Sequence, residues 1–412
     1  MTRLVLRGGT VYDGTLAAPA PADVVVEAGR IVDVGVDLDG DEAVDVGGCA
    51  VLPGLIDCHV HLTMISGDLF ESAQQPFSLQ FYEGARNMVR TVASGVTTVR
   101  DAGGADMGMR VAQERGLIPG PRMQVSLTML SQTGGHGDPW WPSTCVMDFS
   151  PPHPGRPSAV VDGPEEIRRK VRELVRAGAD VVKVATSGGT VSPGADSRTP
   201  HFRDDEIVML VEEAAAAGLS VMAHASAQGA KNAVRGGVRS IEHGQELDDE
   251  TIALMVGRGT WLVPTLSAGL GLQRAIEAGQ PFPDRILEKI QRTAAARSRT
   301  MERALQAGVR FAMGSDTPLI PHGENPTELA LLVEHGLSPV QALHAGTGSA
   351  AHLLGIADEV GTVMPGKRAD LVVVAGSPLD VHGFGSRVRA VYQGGRMVSS
   401  GSSVPGGGAV TG

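Results

Sequence analysis

The sequence predicts an α/β protein with a (β/α)8 TIM-type barrel and a small composite β-sandwich built from both termini. Eight short apolar segments alternate with helical segments through the middle of the chain, and several of the apolar segments end in polar residues. Runs typical of β-strands, broken by glycine, occupy both ends. Eight alternating units favour a parallel barrel, whose active site is expected at the carboxyl ends of the strands.

The terminal regions are predicted to be strands because apolar and polar residues alternate in them. The N-terminal runs are LVLRGGTVYD, ADVVVEAGRIVDVGV and EAVDVGGCAVLPG, and similar runs return in GTVMPGKRADLVVVAGSPLD and RVRAVYQGGRMVSSG. We predict that residues 1–53 and 358–400 together form the β-sandwich and that residues 54–357 form the barrel. Residues 401–412 have the composition of a flexible tail.

The barrel strands are predicted in LPGLIDCHVHL, VTTVRDAGG, RMQVSLTML, ADVVKVATSGG, LSVMAHASA, VRSIEHGQE, TWLVPTLSA and VRFAMGSDTP. Segments between them, such as PEEIRRKVRELVRAG and DDEIVMLVEEAAAAG, have helical periodicity and end in glycine, as helices often do. Residues 131–163 and 188–203 are long loops rich in Gly, Pro and Ser, after the third and fourth strands. Because long loops in compact domains are often functional, we expect them to wall the substrate pocket.

Composition restricts the possible partners of the chain. It has 412 residues, of which 42% are hydrophobic, a formal charge of −11 and three scattered cysteines. The sequence lacks the concentrated basic face that binds phosphates and any run of about 18 apolar residues. We therefore expect a small-molecule substrate, with no nucleic-acid or membrane partner. The few cysteines and the absence of a signal-peptide pattern predict a cytoplasmic protein.

Polar residues at the strand ends predict a metal centre. His59 and His61 lie two positions apart in one strand, so both side chains can face the barrel interior and bind one ion. His224, His243 and Asp316 end the fifth, sixth and eighth strands. Each residue alone is more often a hydrogen-bonded rim residue or a helix cap. Together, at the strand ends of one barrel, they favour metal ligands.

Lys183 lies within VVKVA on the fourth predicted strand. Burying an ammonium group among valines costs several kcal/mol unless the group is paired or neutral. One interpretation is a snorkelling or ion-paired lysine. The other is a lysine carboxylated by carbon dioxide, whose carbamate bridges two metal ions. The ligands would then divide into two sets that share the carbamate: His59, His61 and Asp316 on one ion, and His224 and His243 on the second.

These motifs together resemble the amidohydrolase superfamily of metal-dependent hydrolases. The resemblance is carried by HVH after an apolar strand with Asp, the lysine of VVKVA, the histidines of AHA and EHG, the aspartate of GSD and the terminal GTVMPGKRADLVVV. Within the superfamily, TGGHGD, SGGTVSPG and VMAHA resemble the branch of Xaa-Pro and Xaa-Arg/Lys dipeptidases and hydrolases of ochratoxin-type amides, phenylureas and thiocarbamates. The resemblance implies two divalent ions, expected to be Zn²⁺, and a homo-oligomer.

The expected nucleophile is a hydroxide that bridges the two metals, because coordination lowers the pKa of water to about 7. Asp316 would accept its proton and deliver it to the leaving nitrogen. His136, in GGHGD, is the candidate that polarises the scissile carbonyl, and its alternative is an exposed loop histidine. The resemblance favours the substrate-contacting role. Weaker candidates for substrate contact are Tyr82, Trp140, Arg198 and His201.

The predicted reaction is hydrolysis of an amide bond in a dipeptide or N-acyl amino acid. The alternatives are a hydrolase of aryl amides, carbamates or ureas, a mononuclear enzyme similar to imidazolonepropionase or a deaminase, and a catalytically silent scaffold. Lys183 disfavours the mononuclear enzymes, which typically lack this ligand, and the complete ligand set disfavours the scaffold. Arg100 and Asp101 end the second strand, where a buried ion pair that braces the barrel is favoured over a catalytic role.

Overall fold

The computed structural model describes residues 2–66, 69–141, 143–148, 150–192 and 196–401. The strands are β1 (Leu4–Val11), β2 (Ala20–Glu27), β3 (Arg30–Gly35), β4 (Glu42–Asp45), β5 (Cys49–Pro53), β6 (Leu55–Val60), β7 (Val96–Asp101), β8 (Arg122–Val125), β9 (Met129–Leu130), β10 (Val181–Ala185), β11 (Ser220–Ser226), β12 (Ser240–Gln245), β13 (Trp261–Val263), β14 (Arg310–Phe311), β15 (Leu371–Ala375), β16 (Val388–Gln393) and β17 (Arg396–Ser400).

The helices are α1 (Leu69–Ala73), α2 (Leu79–Ala93), α3 (Met107–Glu114), α4 (Pro164–Arg176), α5 (Asp204–Ala216), α6 (Ala227–Gly236), α7 (Asp249–Arg258), α8 (Leu266–Glu277), α9 (Asp284–Ala307), α10 (Thr327–Glu334), α11 (Pro339–Ala345) and α12 (Gly348–Leu354). A short 3-10 helix spans Phe384–Arg387. Each of α4 to α7 follows a parallel strand, and α4 buries its apolar side through Ile167, Val171 and Leu174. None of the described helices is long and apolar enough to cross a membrane.

Both ends of the chain contribute to one sheet of eight strands. Its order is β17-β16-β15-β5-β1-β2-β3, with β4 paired to β1. The contact between the two ends is the antiparallel pairing of β5 with β15. Buried side chains from β1, β2, β5 and β15 pack together, among them Leu6, Val24, Val51 and Val373. The two termini therefore meet, whereas the sandwich and the boundaries at 53/54 and 357/358 stay predictions. Of the predicted tail, residues 402–412 lie outside the described residues.

The parallel strands of the central region form a sheet ordered β6-β7-β8 and a second one ordered β14-β13-β12-β11-β10-β9. Each of the eight predicted strand segments contains at least one of these strands. All five residues of β10 are buried. Parallel strands covered on both faces are expected to be apolar throughout, which explains the VVKVA run.

The strands form two open sheets where one closed barrel sheet is predicted. The third predicted strand is divided into β8 and β9 because Leu127, between them, has a φ of 69°, which interrupts a regular ladder. The eighth is reduced to the two residues of β14. The backbone still continues beside β6, since the Cys58 amide donates to the Met313 carbonyl and the Asp316 amide to the His59 carbonyl, both at 2.8 Å. This contact brings the carboxyl end of β6 next to Asp316.

Candidate metal centre and active site

His59 and His61 at the end of β6 both direct a ring nitrogen to Asp316. The Nε2 atoms of His59 and His61 lie 3.5 and 3.4 Å from Asp316 Oδ1. The opposite nitrogens are held by acceptors, His59 Nδ1 by Glu242 Oε2 and His61 Nδ1 by the Gly103 carbonyl, each at 2.8 Å. Because Nδ1–H is the donor in these bonds, the Nε2 atom of each ring has a free lone pair when the ring is neutral. This is the outer-shell arrangement that orients metal-binding histidines.

Asp316 completes a compact group of ligand atoms with these two histidines. One atom from each of His59, His61 and Asp316 lies within 4.8 Å of the other two. Burial opposes ionisation of the carboxyl group, but the neighbouring imidazoles of His59, His61 and His243 hold the pKa of Asp316 well below its usual range. Asp316 is therefore a carboxylate in a ring of histidines, which is a donor set that suits a divalent cation.

His243 and His224 form the other side of the cluster. Their ring centroids are 4.5 Å apart. His243 Nδ1 lies 2.7 Å from Thr265 Oγ1, and His224 Nε2 donates to the Gly188 carbonyl at 3.3 Å. Burial, as the largest cause, lowers the pKa of both imidazoles, that of His243 to about 4. Both rings are therefore neutral near pH 7, the form that binds metals.

Three of these positions have a backbone conformation that L-residues rarely adopt. The φ angles of His243, Thr265 and Asp316 are 67°, 48° and 57°. Such strained residues cluster at functional sites, where the surrounding structure holds them. Here the conformation turns the chain at the ends of the sixth, seventh and eighth predicted strands.

Lys183 lies in the middle of β10 with 1% of its surface exposed. Its Nζ has no hydrogen-bond partner among the described residues. Burial lowers the pKa of Lys183 to about 8, although the carboxylates of Glu242 and Asp316 favour the charged form. An amine that is buried, partly neutral and without a hydrogen-bond partner among the residues that the structure describes fits a group that is completed by carboxylation and metal binding.

His136 lies against the cluster although it belongs to a loop. Its ring centroid is 4.2 Å from that of His224. A short hydrogen bond joins His136 Nδ1 to Ser192 Oγ. Gly189 packs on the ring so closely that a Cβ atom there would lie 2.3 Å from His136 Cε1. Burial, assisted by the charges of Lys183 and His201, lowers the pKa of His136 to about 3.

The four weaker candidates lie in different surroundings. His201 is 2% exposed, and within the described part of the chain its Nδ1 is buried without a hydrogen-bond partner. Tyr82, on α2, and Trp140 are largely exposed. The exposed Arg198 side chain forms an ion pair with Asp196, with Nε 3.1 Å from Oδ1. The structure therefore buries His201 and leaves the other three at the surface.

Arg100 forms a buried ion pair, but its partner is Glu242 and the expected pairing with Asp101 is wrong. Arg100 Nη2 lies 3.0 Å from Glu242 Oε1, and Arg100 Nε donates to the Cys58 carbonyl. Asp101 accepts hydrogen bonds from the backbone amides of Leu62 and Gly103. Successive residues of a strand point to opposite sides, so neighbours in sequence do not meet.

Glu242 is a site residue that the sequence analysis missed. It is fully buried and contacts His59, Arg100 and Ser240. A carboxylate inside the strand segment SIEHG is the same signal that identified Lys183, a charged residue in an apolar strand, and could have been used here.

Asp57 was also missed as a supporting residue. It accepts hydrogen bonds from the Ser315 amide at 3.0 Å and from Asn325 Nδ2 at 2.9 Å. Burial raises the pKa of Asp57 to about 6, and these hydrogen bonds oppose the rise. Asp57 therefore ties β6 to the segment that carries Asp316.

Comparison with known proteins gives consistent relatives. A model of the amidohydrolase family matches residues 50–398. Ochratoxinase of Aspergillus niger is 32% identical over 369 residues, which are 84% of this chain and 75% of that protein. A crystal structure of a prolidase complexed with N-methylphosphonate-L-proline has 36% identity and a TM-score of 0.88, covering 97% of this chain and 100% of the other. An Xaa-Pro dipeptidase structure with bound methionine has 31% identity and a TM-score of 0.86, covering 96% and 99%.

These relatives also identify the architecture. The two open parallel sheets with their helices correspond to the TIM-barrel-type α/β fold of the amidohydrolase neighbours. The resemblance inferred from the HVH, VVKVA, EHG and GSD motifs is thereby confirmed. Because the family model spans most of the sequence and the ochratoxinase matches over 84% of it, the chain belongs to the amidohydrolase family.

Proposed function

We propose that this chain is a hydrolase of dipeptides or N-acyl amino acids that uses two divalent metal ions. Its membership of the amidohydrolase family makes it a metal-dependent amide hydrolase. The observation that carries the finer proposal is Lys183, which is buried, has no hydrogen-bond partner in the described part of the chain and is under the electrostatic influence of Asp316. The prolidase and dipeptidase structures support the choice of substrate class.

The chain would hold the two ions with the ligand sets predicted from the sequence. His59, His61 and Asp316 would bind one ion and His224 and His243 the second. Lys183 would bridge them after its neutral amine adds to carbon dioxide, which forms an N–C bond and releases one proton. Imidazole and carboxylate ligands suit Zn²⁺. Two such ions, when bound, supply a Lewis acid and lower the pKa of water to about 7.

Asp316 is proposed as the group that moves the proton. Its low pKa keeps the carboxylate ionised near neutral pH. A carboxylate placed where the two histidine Nε2 atoms converge can accept a proton during attack on the carbonyl and return it to the leaving nitrogen. The leaving amine then departs in its neutral form.

His136 is proposed to bind the scissile carbonyl. Its neutral imidazole lies beside His224, so a hydrogen bond from Nε2 would reach a substrate held at the cluster. A donor aimed at the developing negative charge stabilises the transition state. Four further residues would contribute to substrate binding around His136. His201 would do so from a buried position, and the other three are Arg198, Tyr82 and Trp140.

A relative named ochratoxinase supports a range of amides wider than dipeptides, so the second candidate is hydrolysis of aryl amides, carbamates or ureas. The two candidates share the metal centre. They differ in the part of the substrate that contacts the walls of the pocket. A mass-spectrometric screen separates them. Purified protein supplemented with zinc and bicarbonate is incubated with dipeptides, N-acyl amino acids, aryl amides and carbamates, with Asp316→Asn as the blank.

Cleavage of dipeptides or N-acyl amino acids by the wild type alone would support the main proposal. Turnover restricted to aryl amides or carbamates would support the second candidate. One metal ion per chain would support the mononuclear alternative, and a metal-free, inactive protein would support the scaffold. The homo-oligomeric state and the cytoplasmic location stay predictions, and light scattering on the purified protein tests the first.

A further inference from the structure

We propose that Ser192 is a positioning residue that sets the orientation and the tautomer of His136, and that Lys289 holds Ser192 in place from helix α9. The inference rests on the proposed function in one respect, because the proposed function assigns His136 a hydrogen bond to the substrate carbonyl. The contacts that support it lie on the loop after β10 and on a helix that supplies none of the predicted metal ligands.

The first step is the hydrogen bond between His136 Nδ1 and Ser192 Oγ. In a neutral imidazole one ring nitrogen donates and the other accepts. A serine hydroxyl can donate or accept, and we infer that here it donates to Nδ1, which places the ring proton on Nε2. His136 then offers an N–H group to a substrate carbonyl, and the donor is fixed before the substrate binds. Without the hydroxyl, the ring can adopt either tautomer.

The second step is the confinement of the ring. One face of His136 lies on His224, at a centroid distance of 4.2 Å. Gly189 fills the space beside Cε1 and Nδ1, where any side chain would overlap the ring. With Ser192 at Nδ1, the rotation of the imidazole about its side-chain bonds is restricted in three directions.

The third step is the attachment of the loop to α9. Lys289 is 8% exposed, and its Nζ donates to the carbonyls of Ser192 at 2.7 Å and Gly189 at 3.3 Å. These are the same two residues that contact His136. Arg292, on the next turn of α9, binds Asp196 at 3.0 Å. A helix outside the metal ligand set therefore holds the segment that orients the histidine.

The direct test is the tautomer of His136, observed by ¹⁵N–¹H correlation NMR of histidine-labelled full-length protein. The His136→Ala spectrum assigns the signal. We expect the Nε2-protonated form in the wild type and in Ser192→Thr, which keeps the hydroxyl, and a mixture of tautomers in Ser192→Ala. A wild-type ring protonated on Nδ1, or an unchanged spectrum in Ser192→Ala, would overturn the inference whether or not the enzyme is active.

The kinetic test uses the substrate turned over fastest in the screen. Ser192→Ala should lower kcat about tenfold, with KM and metal content unchanged, and should have no further effect in a His136→Ala background. Ser192→Thr should recover most of the rate. Ser158→Ala is the matched control, because it removes a serine hydroxyl that accepts a hydrogen bond from Lys170 Nζ, at 3.1 Å, and not one that contacts a site residue. If Ser192→Ala does not fold, Ser192→Cys keeps a weak donor of similar size.

The contribution of Lys289 is measured in the same way. Lys289→Met should lower kcat about threefold to tenfold, and the effect should largely disappear when Ser192 is already alanine. Lys231→Met is the control, because that lysine is equally buried but binds Asp248 and Glu250.

If His136→Ala keeps full activity, the proposed role of His136 is wrong. If His136→Ala is inactive but Ser192→Ala is normal, only the positioning role is wrong.

Discussion

Two halves of the site are supported in different ways. The strand half consists of the residues on or directly after parallel strands: His59, His61, Lys183, His224, His243 and Asp316. The loop half consists of His136, Ser192 and His201. In the strand half, neutral groups hold His61, His224 and His243, but His59 is supported by a buried ion pair, with Glu242 fully buried between His59 and Arg100. In the loop half, support comes mainly from a hydroxyl group, a glycine backbone and a lysine that binds carbonyls.

The difference shows which half tolerates change. Removing one partner of a buried ion pair leaves an uncompensated charge and typically costs about 3–5 kcal/mol. Removing one neutral hydrogen bond costs about 1 kcal/mol. We therefore expect loss of the Glu242–Arg100 pair in the strand half to cost more than loss of a single hydrogen bond in the loop half. Such an arrangement keeps the chemistry constant while the substrate pocket varies.

The largest effect is expected from Lys183→Ala in the strand half. Loss of the bridging group should remove one or both metal ions and reduce turnover to the background level, because both ligand sets share it. The test measures the metal content by mass spectrometry and the rate of turnover with and without added short carboxylates. Recovery with a carboxylate would support the carbamate. Wild-type metal content in this variant would remove Lys183 from the metal site.

Asp316→Asn should lower kcat about a thousandfold, because the amide cannot accept a proton, while the neighbouring histidines retain metal. The measurements are kcat and the metal content of the same preparation. His322→Asn is a suitable control, since His322 is also buried near His61 but is not a predicted ligand. A near-normal rate in Asp316→Asn would contradict the proton-transfer role.

Glu242→Gln tests whether buried charge supports the strand half. The amide keeps the shape but leaves Arg100 without its carboxylate, so we expect thermal unfolding at a lower temperature and metal affinity reduced about 10-fold to 100-fold. Calorimetry and competition with a chelator measure the two effects. An unchanged affinity would mean that His59 is oriented without Glu242.

Gly189→Ala tests the loop half by steric means. The added methyl group would overlap the His136 ring, so the ring must move, and we expect kcat to fall about tenfold with metal content unchanged. Gly257→Ala, where a Cβ atom meets open space, is the control. Loss of metal in Gly189→Ala would show that the two halves are not independent.

Arg198→Ala should have the smallest effect. Its side chain is exposed and paired with Asp196, and exposed ion pairs contribute at most about 1 kcal/mol. We expect KM for substrates with a free carboxylate to rise by less than about fivefold, with kcat unchanged. The same substrates with a neutral amide terminus serve as the comparison. A much larger increase would place the carboxylate-binding group at Arg198.

The sequence by itself determined much of the strand half. Its signals are properties of a few successive residues: the spacing of two positions between His59 and His61, the apolar strand segments and the charged residue inside VVKVA. They can therefore be recognised without knowledge of the fold. The eight strand segments were located for the same reason. Their resemblance to the amidohydrolase family is confirmed by the family model and the relatives. The assignment of each residue to a metal stays a prediction.

Only the tertiary structure decided which distant side chains meet. Arg100 and Glu242 are 142 positions apart, and His136 and Ser192 are 56 apart. No local periodicity relates such positions, because their contact depends on how strands and loops are arranged in space. For that reason the sequence suggested the wrong partner for Arg100 and gave His136 two equal interpretations. The fold places a buried acceptor beside Arg100 and the ring of His136 against His224, while the contact of His136 with substrate stays a proposal.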